Sequence, residues 1–274
     1  MQQILEPRLF QKKVWRYFTQ HGRTLPWRKT SNPYRILVSE IMLQQTQVDR
    51  VIPKYRAWCK RFPTIRALAD APRSEVLTMW QGLGYNRRAL ALHRTAQMII
   101  QQKKFPHNYD TLISLPGIGP YTACAILAFA FNQPVVLIET NIRSVFIHHF
   151  FADQKNVHDR DILPIIEKTL DRRRPREWYW ALMDYGAALK KTAGNASRRS
   201  AHYTKQSRFA GSDRQLRGQI VRYVGSQAAS ITNLKQHLTE AQIAATDSRL
   251  KKILNDLTSE GFLARRGKKI TLAL

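Results

Sequence analysis

The chain has 274 residues, 43% of them hydrophobic and 10% aromatic, enough to bury a real core in two or three units at roughly 100–150 residues each. Its 45 Lys and Arg against 19 Asp and Glu give a formal charge of +26, which points to a polyanion as partner. An anionic membrane is disfavoured, because no run of about 18 apolar residues occurs and no signal peptide opens the chain. A four-thiolate zinc or iron–sulfur centre is excluded by the presence of only two cysteines, Cys59 and Cys124, which read as small buried hydrophobes.

Taken in order, Met1-Gln2-Gln3 leads into a helical pattern whose apolar stripe is Leu9, Val14, Trp15 and Phe18. A second stripe holds Ile36, Leu37, Ser39, Glu40, Met42, Leu43 and Val48. Helices are predicted at 52–61, 74–80, 86–102, 120–131, 141–151, 159–170 and 176–190, punctuated by proline and glycine. Short helices with short connections make a compact all-α unit. His148-His149 lacks a third ligand at metal spacing and reads as a helix-surface or partly core feature.

Composition changes at 186–212, where Lys190, Lys191, Arg198, Arg199, Lys205 and Arg208 stand without any acid. This stretch reads either as a flexible linker or as an irregular loop folded back on the first domain and touching phosphate. Beyond Gly211-Ser212, helices are expected at 213–224, 231–239 and 247–260, followed by two strands around the basic turn Arg265-Arg266-Gly267-Lys268-Lys269. Three helices and a basic hairpin suggest a small winged-helix unit that binds DNA or protein; Arg249, Lys251 and Lys252 favour DNA.

The segments that carry chemistry lie in the first part. In Leu115-Pro116-Gly117-Ile118-Gly119-Pro120-Tyr121-Thr122, two glycines allow a tight turn and close approach to another surface. The amides that open the next helix can then meet a phosphate. Glu40 lies among apolar neighbours in Val38-Ser39-Glu40-Ile41-Met42-Leu43; if buried, it would hold a proton near neutral pH. The polar run Gln44-Gln45-Thr46-Gln47 can fill space beside an unpaired base. Excising a base requires protonation of the leaving base and stabilisation of an oxocarbenium-like sugar, and two carboxylates can do both. Glu40 is the candidate acid and water activator, Glu139 the candidate cation stabiliser. Tyr85, on the glycine turn Gly82-Leu83-Gly84-Tyr85, suits a wedge that holds the duplex open while the base is out of the stack.

Together, Leu25-Pro26-Trp27-Arg28, Ser39 to Val48, Gly82 to Tyr85, Leu115 to Thr122 and Met183-Asp184-Tyr185-Gly186 resemble the helix-hairpin-helix (HhH-GPD) DNA glycosylase superfamily, and within it the MutY-like adenine glycosylases, over about residues 8–190. The resemblance implies an all-α, two-lobed glycosylase fold at 1–190, with its helix-hairpin-helix at about 109–131. It is followed by a basic loop at 191–212 and a winged-helix-like α+β domain at 213–274. It implies a catalytic set of Glu40, Glu139, Tyr121 and Asn141, and a base pocket that includes Arg28 and Asp184. DNA contacts are expected at Gln44, Gln45, Thr46, Tyr85, Gly117, Gly119, Tyr121, Thr122, Lys190, Lys191, Arg198 and Arg199. Tyr121 stands where a relative that cleaves the strand has a Schiff-base lysine, so base removal without strand cleavage is expected.

Three departures from the family pattern stand out. Glu139 replaces an aspartate. Lys190, Ser197, Ser200 and Gln206 stand where iron–sulfur cysteines would fall, so no cluster is expected, although the family hairpin offers a site for a monovalent cation. The C-terminal domain that senses 8-oxoguanine is not recognisable. The expected activity is excision of adenine opposite 8-oxoguanine or guanine. Excision of thymine or uracil opposite guanine, excision of a damaged purine, and non-catalytic DNA binding are the alternatives. The expected partner is double-stranded DNA with a mispaired or damaged base; the expected protein is a cytoplasmic monomer, nucleoid-associated if bacterial.

Overall fold

A computed structural model describes residues 6–206 and 208–273; the helical pattern expected from Met1-Gln2-Gln3 lies outside them. In chain order the helices are α1 (Pro7–His21), α2 (Pro33–Leu43), α3 (Val48–Arg61), α4 (Ile65–Ala69), α5 (Arg73–Trp80), α6 (Arg87–Gln101), α7 (Tyr109–Ile113), α8 (Pro120–Phe131), α9 (Thr140–Phe150), α10 (Asp159–Thr169), α11 (Pro175–Thr192), α12 (Asp213–Ser226), α13 (Ile231–Glu240) and α14 (Asp247–Ser259). Two antiparallel strands follow, β1 (Leu263–Arg266) and β2 (Lys269–Leu272), paired from Leu263 with Leu272 to Arg266 with Lys269. The mostly helical fold read from the sequence is therefore present, as is the small C-terminal sheet. No helix among the described residues is long and apolar enough to cross a membrane.

Packing sorts these elements by space rather than by sequence order. Unit one holds residues 6–40 and 106–205; unit two holds 41–105 and 206–273. In unit one, α8 is apolar on all sides, with Ala123 and the whole run Ala125 to Ala130 buried, as befits a central helix. Asn132, at φ +53°, ends it in the left-handed conformation that asparagine tolerates. Around it Phe10 meets Phe146 at 5.2 Å and Trp178 at 6.0 Å between ring centroids. The buried face of α1 is Phe10 and Val14, while Leu9, predicted on that face, is 55% exposed. One residue of phase turns a helical side chain by about 100°.

In unit two, Trp58, Phe62 and Trp80 form an aromatic core. The C-terminal helices each begin on a hydroxyl cap. Ser212, Ser230 and Thr246 accept from the amides of Gln215, Asn233 and Arg249 respectively. α12 packs on α5, where a Cβ at Gly225 would stand 2.6 Å from Gln81 Nε2. Neither Cys59 nor Cys124 forms a disulfide, and both are half-buried rather than buried as expected.

Candidate active site

Glu40 lies on α2 and is 5% exposed. Tyr121, in the first turn of α8, donates its hydroxyl to Glu40 Oε2 at 3.0 Å across 81 residues of sequence. Burial pushes the Glu40 carboxyl up to about 7; the Tyr121 hydrogen bond and the Arg28 charge work against the rise, and the charge of Glu139 adds to it. Tyr121 is itself held well above the usual phenol range by burial and by both carboxylates. The two acids named from the sequence thus share one electrostatic environment in unit one.

Glu139 is the N-cap of α9. Its Oε1 accepts from the amides of Asn141 at 2.7 Å and Ile142 at 2.8 Å, and its Oε2 accepts from Asn141 Nδ2 at 3.2 Å. The longer side chain therefore folds back on its own helix terminus, where a carboxylate is favoured. Burial raises its pKa, opposed by those two amides and by the charges of Lys190 and Arg143. Lys190, on the last turn of α11, donates to Asn141 Oδ1 at 2.8 Å, which gives a continuous chain Lys190–Asn141–Glu139. Lys190, expected on phosphate, points instead into this cluster. Its own pKa is lowered by burial, with Glu139 opposing.

α11 approaches the start of α9 closely because position 186 is glycine. A Cβ there would stand 2.3 Å from the Asn141 carbonyl oxygen. Two residues earlier, Asp184 is 3% exposed and accepts from Arg28 Nη1 and Nη2 at 2.7 and 2.8 Å, and from Arg23 Nε and N at 2.6 and 2.8 Å. Burial raises the Asp184 carboxyl, but the two arginines outweigh it and hold the group below the ordinary carboxylate range. Both oxygens of this expected base contact are thus engaged by Arg23 and Arg28. Arg28 lies over Trp180 at 5.5 Å. Arg23 carried no signal in the sequence, because its partner is 161 residues away.

The hairpin exposes Gly117, Gly119 and Pro120, with Leu115 and Ile118 buried beneath. Gly117 lies at φ +77°, where a side chain would be strained. Thr122 is 2% exposed, so its side chain is turned into the core rather than toward a phosphate. In the basic loop, Lys191 and Arg198 are exposed. Arg199 is not free for DNA: its guanidinium donates to the carbonyls of Ile147, Phe151 and Ala152 at the end of α9. Buried Ser197 and Ser200 and the exchange of backbone bonds between Val157 and residues 199 and 201 hold the loop. A cluster needs four thiolates, and the residues here do not fit one. Among the described residues no group of three or more His, Cys, Asp and Glu could hold a metal ion. His149 is close to Tyr185 Oη at 2.9 Å, and burial lowers its pKa to about 4.

Unit two carries the remaining expected contacts. Tyr85 and Gln45 both adopt left-handed backbone conformations, at φ +48° and +54°, a strain of order 1 kcal/mol or more for each. Arg88 holds them there. Its guanidinium donates to the carbonyls of Ile41, Met42, Gln44, Leu83 and Gly84 at 2.5–3.1 Å, and to Thr46 Oγ1 at 3.2 Å. Burial lowers its pKa to about 10, so it stays charged. The sequence reading missed this residue, and only its place three residues after the glycine turn hinted at it. The Tyr85 hydroxyl accepts from Arg214 Nη1 at 2.8 Å and from Gln206 Nε2. Gln44, Gln45, Tyr85, Arg88, Arg214 and Arg217 line a cavity of about 500 Å³.

Residues 38–167 match the family described as HhH-GPD superfamily base excision DNA repair protein. A protein named adenine DNA glycosylase from Mycolicibacterium smegmatis is 35% identical over 278 residues, 92% of this chain and 94% of its own length. Another of that name, from Buchnera aphidicola subsp. Baizongia pistaciae, is 39% identical over 188 residues, 66% of this chain; the match spans 53% of that relative, about half its length. Among solved structures, a thermostable thymine-DNA glycosylase superposes with a TM-score of 0.60 at 22% identity, covering 72% of this chain and 96% of that one, a likeness of fold. With a relative matched over nearly its whole length, and with the family match taking in both the helix of Glu40 and the hairpin, the chain belongs to the HhH-GPD superfamily of base excision DNA repair proteins.

Proposed function

We propose that this protein is a monofunctional DNA N-glycosylase that removes adenine opposite 8-oxoguanine or guanine. The observation that carries the reading is the hydrogen bond from Tyr121 to a buried Glu40, whose carboxyl burial pushes up to about 7 and whose electrostatic partner is Glu139. Glu40 gives its proton to a ring nitrogen of the extruded purine. The bond from C1′ to the base then breaks, and its electron pair leaves with the base. The cationic sugar forms within the field of Glu139, which the α9 amides, Lys190 and Arg143 favour in its ionised form. Water adds to C1′ and returns a proton to Glu40, which restores the enzyme. Tyr121 holds Oε2 and leaves Oε1 of Glu40 to carry the proton. A phenol forms no imine with the sugar, so the product is an intact strand with an abasic site. The relatives named adenine DNA glycosylases support adenine as the base.

The test uses a panel of labelled duplexes with A:8-oxoG, A:G, T:G, U:G and hypoxanthine:T pairs, each followed by hot alkali. Strand scission only after alkali, and only on the adenine pairs, is the expected result. Cleavage confined to T:G or U:G, or binding with no product on any duplex, would overturn it. Glu40→Gln should abolish excision while duplex binding persists. The wild-type single-turnover rate should fall as pH rises through about 7, where Glu40 loses its proton.

A further inference from the structure

The C-terminal part of unit two carries a charge pattern that the glycosidic chemistry does not use. α14 turns Leu250, Ile253, Leu254 and Leu257 inward and leaves Ser248, Lys251, Lys252 and Asn255 exposed. The following hairpin buries Leu263, Ile270 and Leu272 and exposes Arg265, Arg266, Lys268 and Lys269 around Gly267 at φ +61°. The acids of this region are mostly engaged elsewhere. Asp213 pairs with Arg249 and Asp247 with Lys235, both at 2.7 Å; Glu260 pairs with Arg87 and Arg217 at 2.6 and 2.5 Å. Asp256 adds to the field at Arg87. Among the described residues, no acid pairs with Lys251, Lys252, Arg266, Lys268 or Lys269.

So many like charges on one helix and one hairpin tip repel one another unless a polyanion neutralises them. The region is also fixed in place. Glu260, just beyond α14, ties Arg87 at the start of α6 to Arg217 on α12. The helix and hairpin therefore belong to the same body as the Tyr85 turn. A helix that follows a helix and turn is the element such folds lay in a DNA groove, and basic side chains beside it reach the backbone.

We propose that α14 and the β1–β2 hairpin form a grip on duplex DNA, additional to the one expected of the Leu115 to Thr122 hairpin. In it Lys251, Lys252, Arg265, Arg266, Lys268 and Lys269 contact backbone phosphates without reading sequence. The test is fluorescence anisotropy of the full chain on an undamaged duplex of about 30 base pairs across a salt series. It compares Lys251→Gln/Lys252→Gln with Arg265→Gln/Arg266→Gln/Lys268→Gln/Lys269→Gln. Each phosphate released flattens the slope of log K against log salt by about 0.9. The first variant should therefore lose about two units of slope and the second about three to four, with roughly tenfold or greater loss of affinity. Circular dichroism and Tm should not change, since all six side chains are exposed. Unchanged slope and affinity in both variants would overturn the proposal. So would a loss seen only with anionic vesicles, single-stranded RNA or an acidic protein. The duplex contains no damaged base, so failure of the glycosylase reading leaves this test intact.

Discussion

Replacing Lys190 with methionine isolates the electrostatic logic of the candidate active site. Methionine keeps the length and apolar stem of lysine but removes the ammonium that donates to Asn141 Oδ1 at 2.8 Å. Asn141 in turn donates to Glu139 Oε2 at 3.2 Å, so the lost charge lies about one amide group, roughly 6 Å, from the carboxylate. At an effective dielectric constant of about 20, a unit charge at that range contributes about 3 kcal/mol. Relaxation and entering water reduce this to about 1–2 kcal/mol, or about 5–30-fold in the rate of a step that needs Glu139 ionised. The pH dependence has a definite sign. The groups facing Glu139 are Glu40 on α2, Tyr121 on α8, Arg143 on α9 and Lys190 on α11. Burial favours its neutral form; the amides of Asn141 and Ile142, then Lys190 and Arg143, favour its charged form. Without Lys190 the carboxyl titrates higher, so the acid limb of the rate profile moves to higher pH and the loss is greatest on the acid side. Single-turnover excision at saturating enzyme, measured from about pH 5 to 9, reads this directly. Lys190→Arg should restore most of the rate, and the salt slope of duplex binding should not change in either variant. A Lys190→Met enzyme with the wild-type profile but a flatter salt slope would show that the ammonium serves DNA phosphate, and the relay to Glu139 would be abandoned.

Three further outcomes follow from the packing. Gly186→Ala forces a methyl to within 2.3 Å of the Asn141 carbonyl, so it should cost about 1–3 kcal/mol by overpacking and lower the excision rate more than duplex affinity, as read by thermal melting and single-turnover kinetics. Arg88→Met leaves the carbonyls of Ile41, Gln44 and Gly84 without their shared donor, a loss of about 1–3 kcal/mol; Arg88→Lys should rescue little, because one ammonium cannot replace a planar fork. His149 stays neutral in the fold down to about pH 4, while in the unfolded chain it charges below about 6.5. Stability should therefore fall as pH drops through that window, by up to about 1.4 kcal/mol per pH unit, and denaturant melts of His149→Phe should show a shallower acid slope.

What was legible in the sequence was local. The hairpin follows from two glycines two residues apart, and Glu40 stands out because a carboxylate amid Val38, Ile41, Met42 and Leu43 has few ways to exist. Glu139 was legible as an acid but not as a helix cap, because capping depends on where α9 begins. The basic residues were hardest to sort. In a chain of +26 Lys190 and Arg199 read as phosphate contacts, yet Lys190 turns to Asn141 and Arg199 to backbone carbonyls, while Arg23 and Arg28 turn to Asp184. Their partners lie about 50–160 residues away, beyond the reach of any periodicity. Thr122 and Leu9 fail differently. Leu9 is exposed beside buried Phe10, and Thr122 is buried two residues after exposed Pro120; on a helix one or two residues are enough to exchange core for solvent.

The loop that follows α11 shows how a segment without cluster-forming cysteines can fix α9. α9 has a defined charge complement at both ends. At its N-terminus Glu139 accepts two amides, and Lys190 steadies Asn141 beside it. At its C-terminus Arg199 reaches the carbonyls of Ile147, Phe151 and Ala152. A negative group at the start of a helix and a positive one at its end both oppose the helix dipole favourably. Both basic side chains come from the end of α11 and the segment after it, which backbone bonds with Val157 hold in place. The stretch that reads as a DNA-facing basic loop is thus divided: Lys191 and Arg198 remain on the surface, while Lys190 and Arg199 set the position of the helix whose first turn holds Glu139. The extra methylene of Glu139 is absorbed in the same way, because the side chain curls onto the amides of Asn141 and Ile142 instead of extending from the helix.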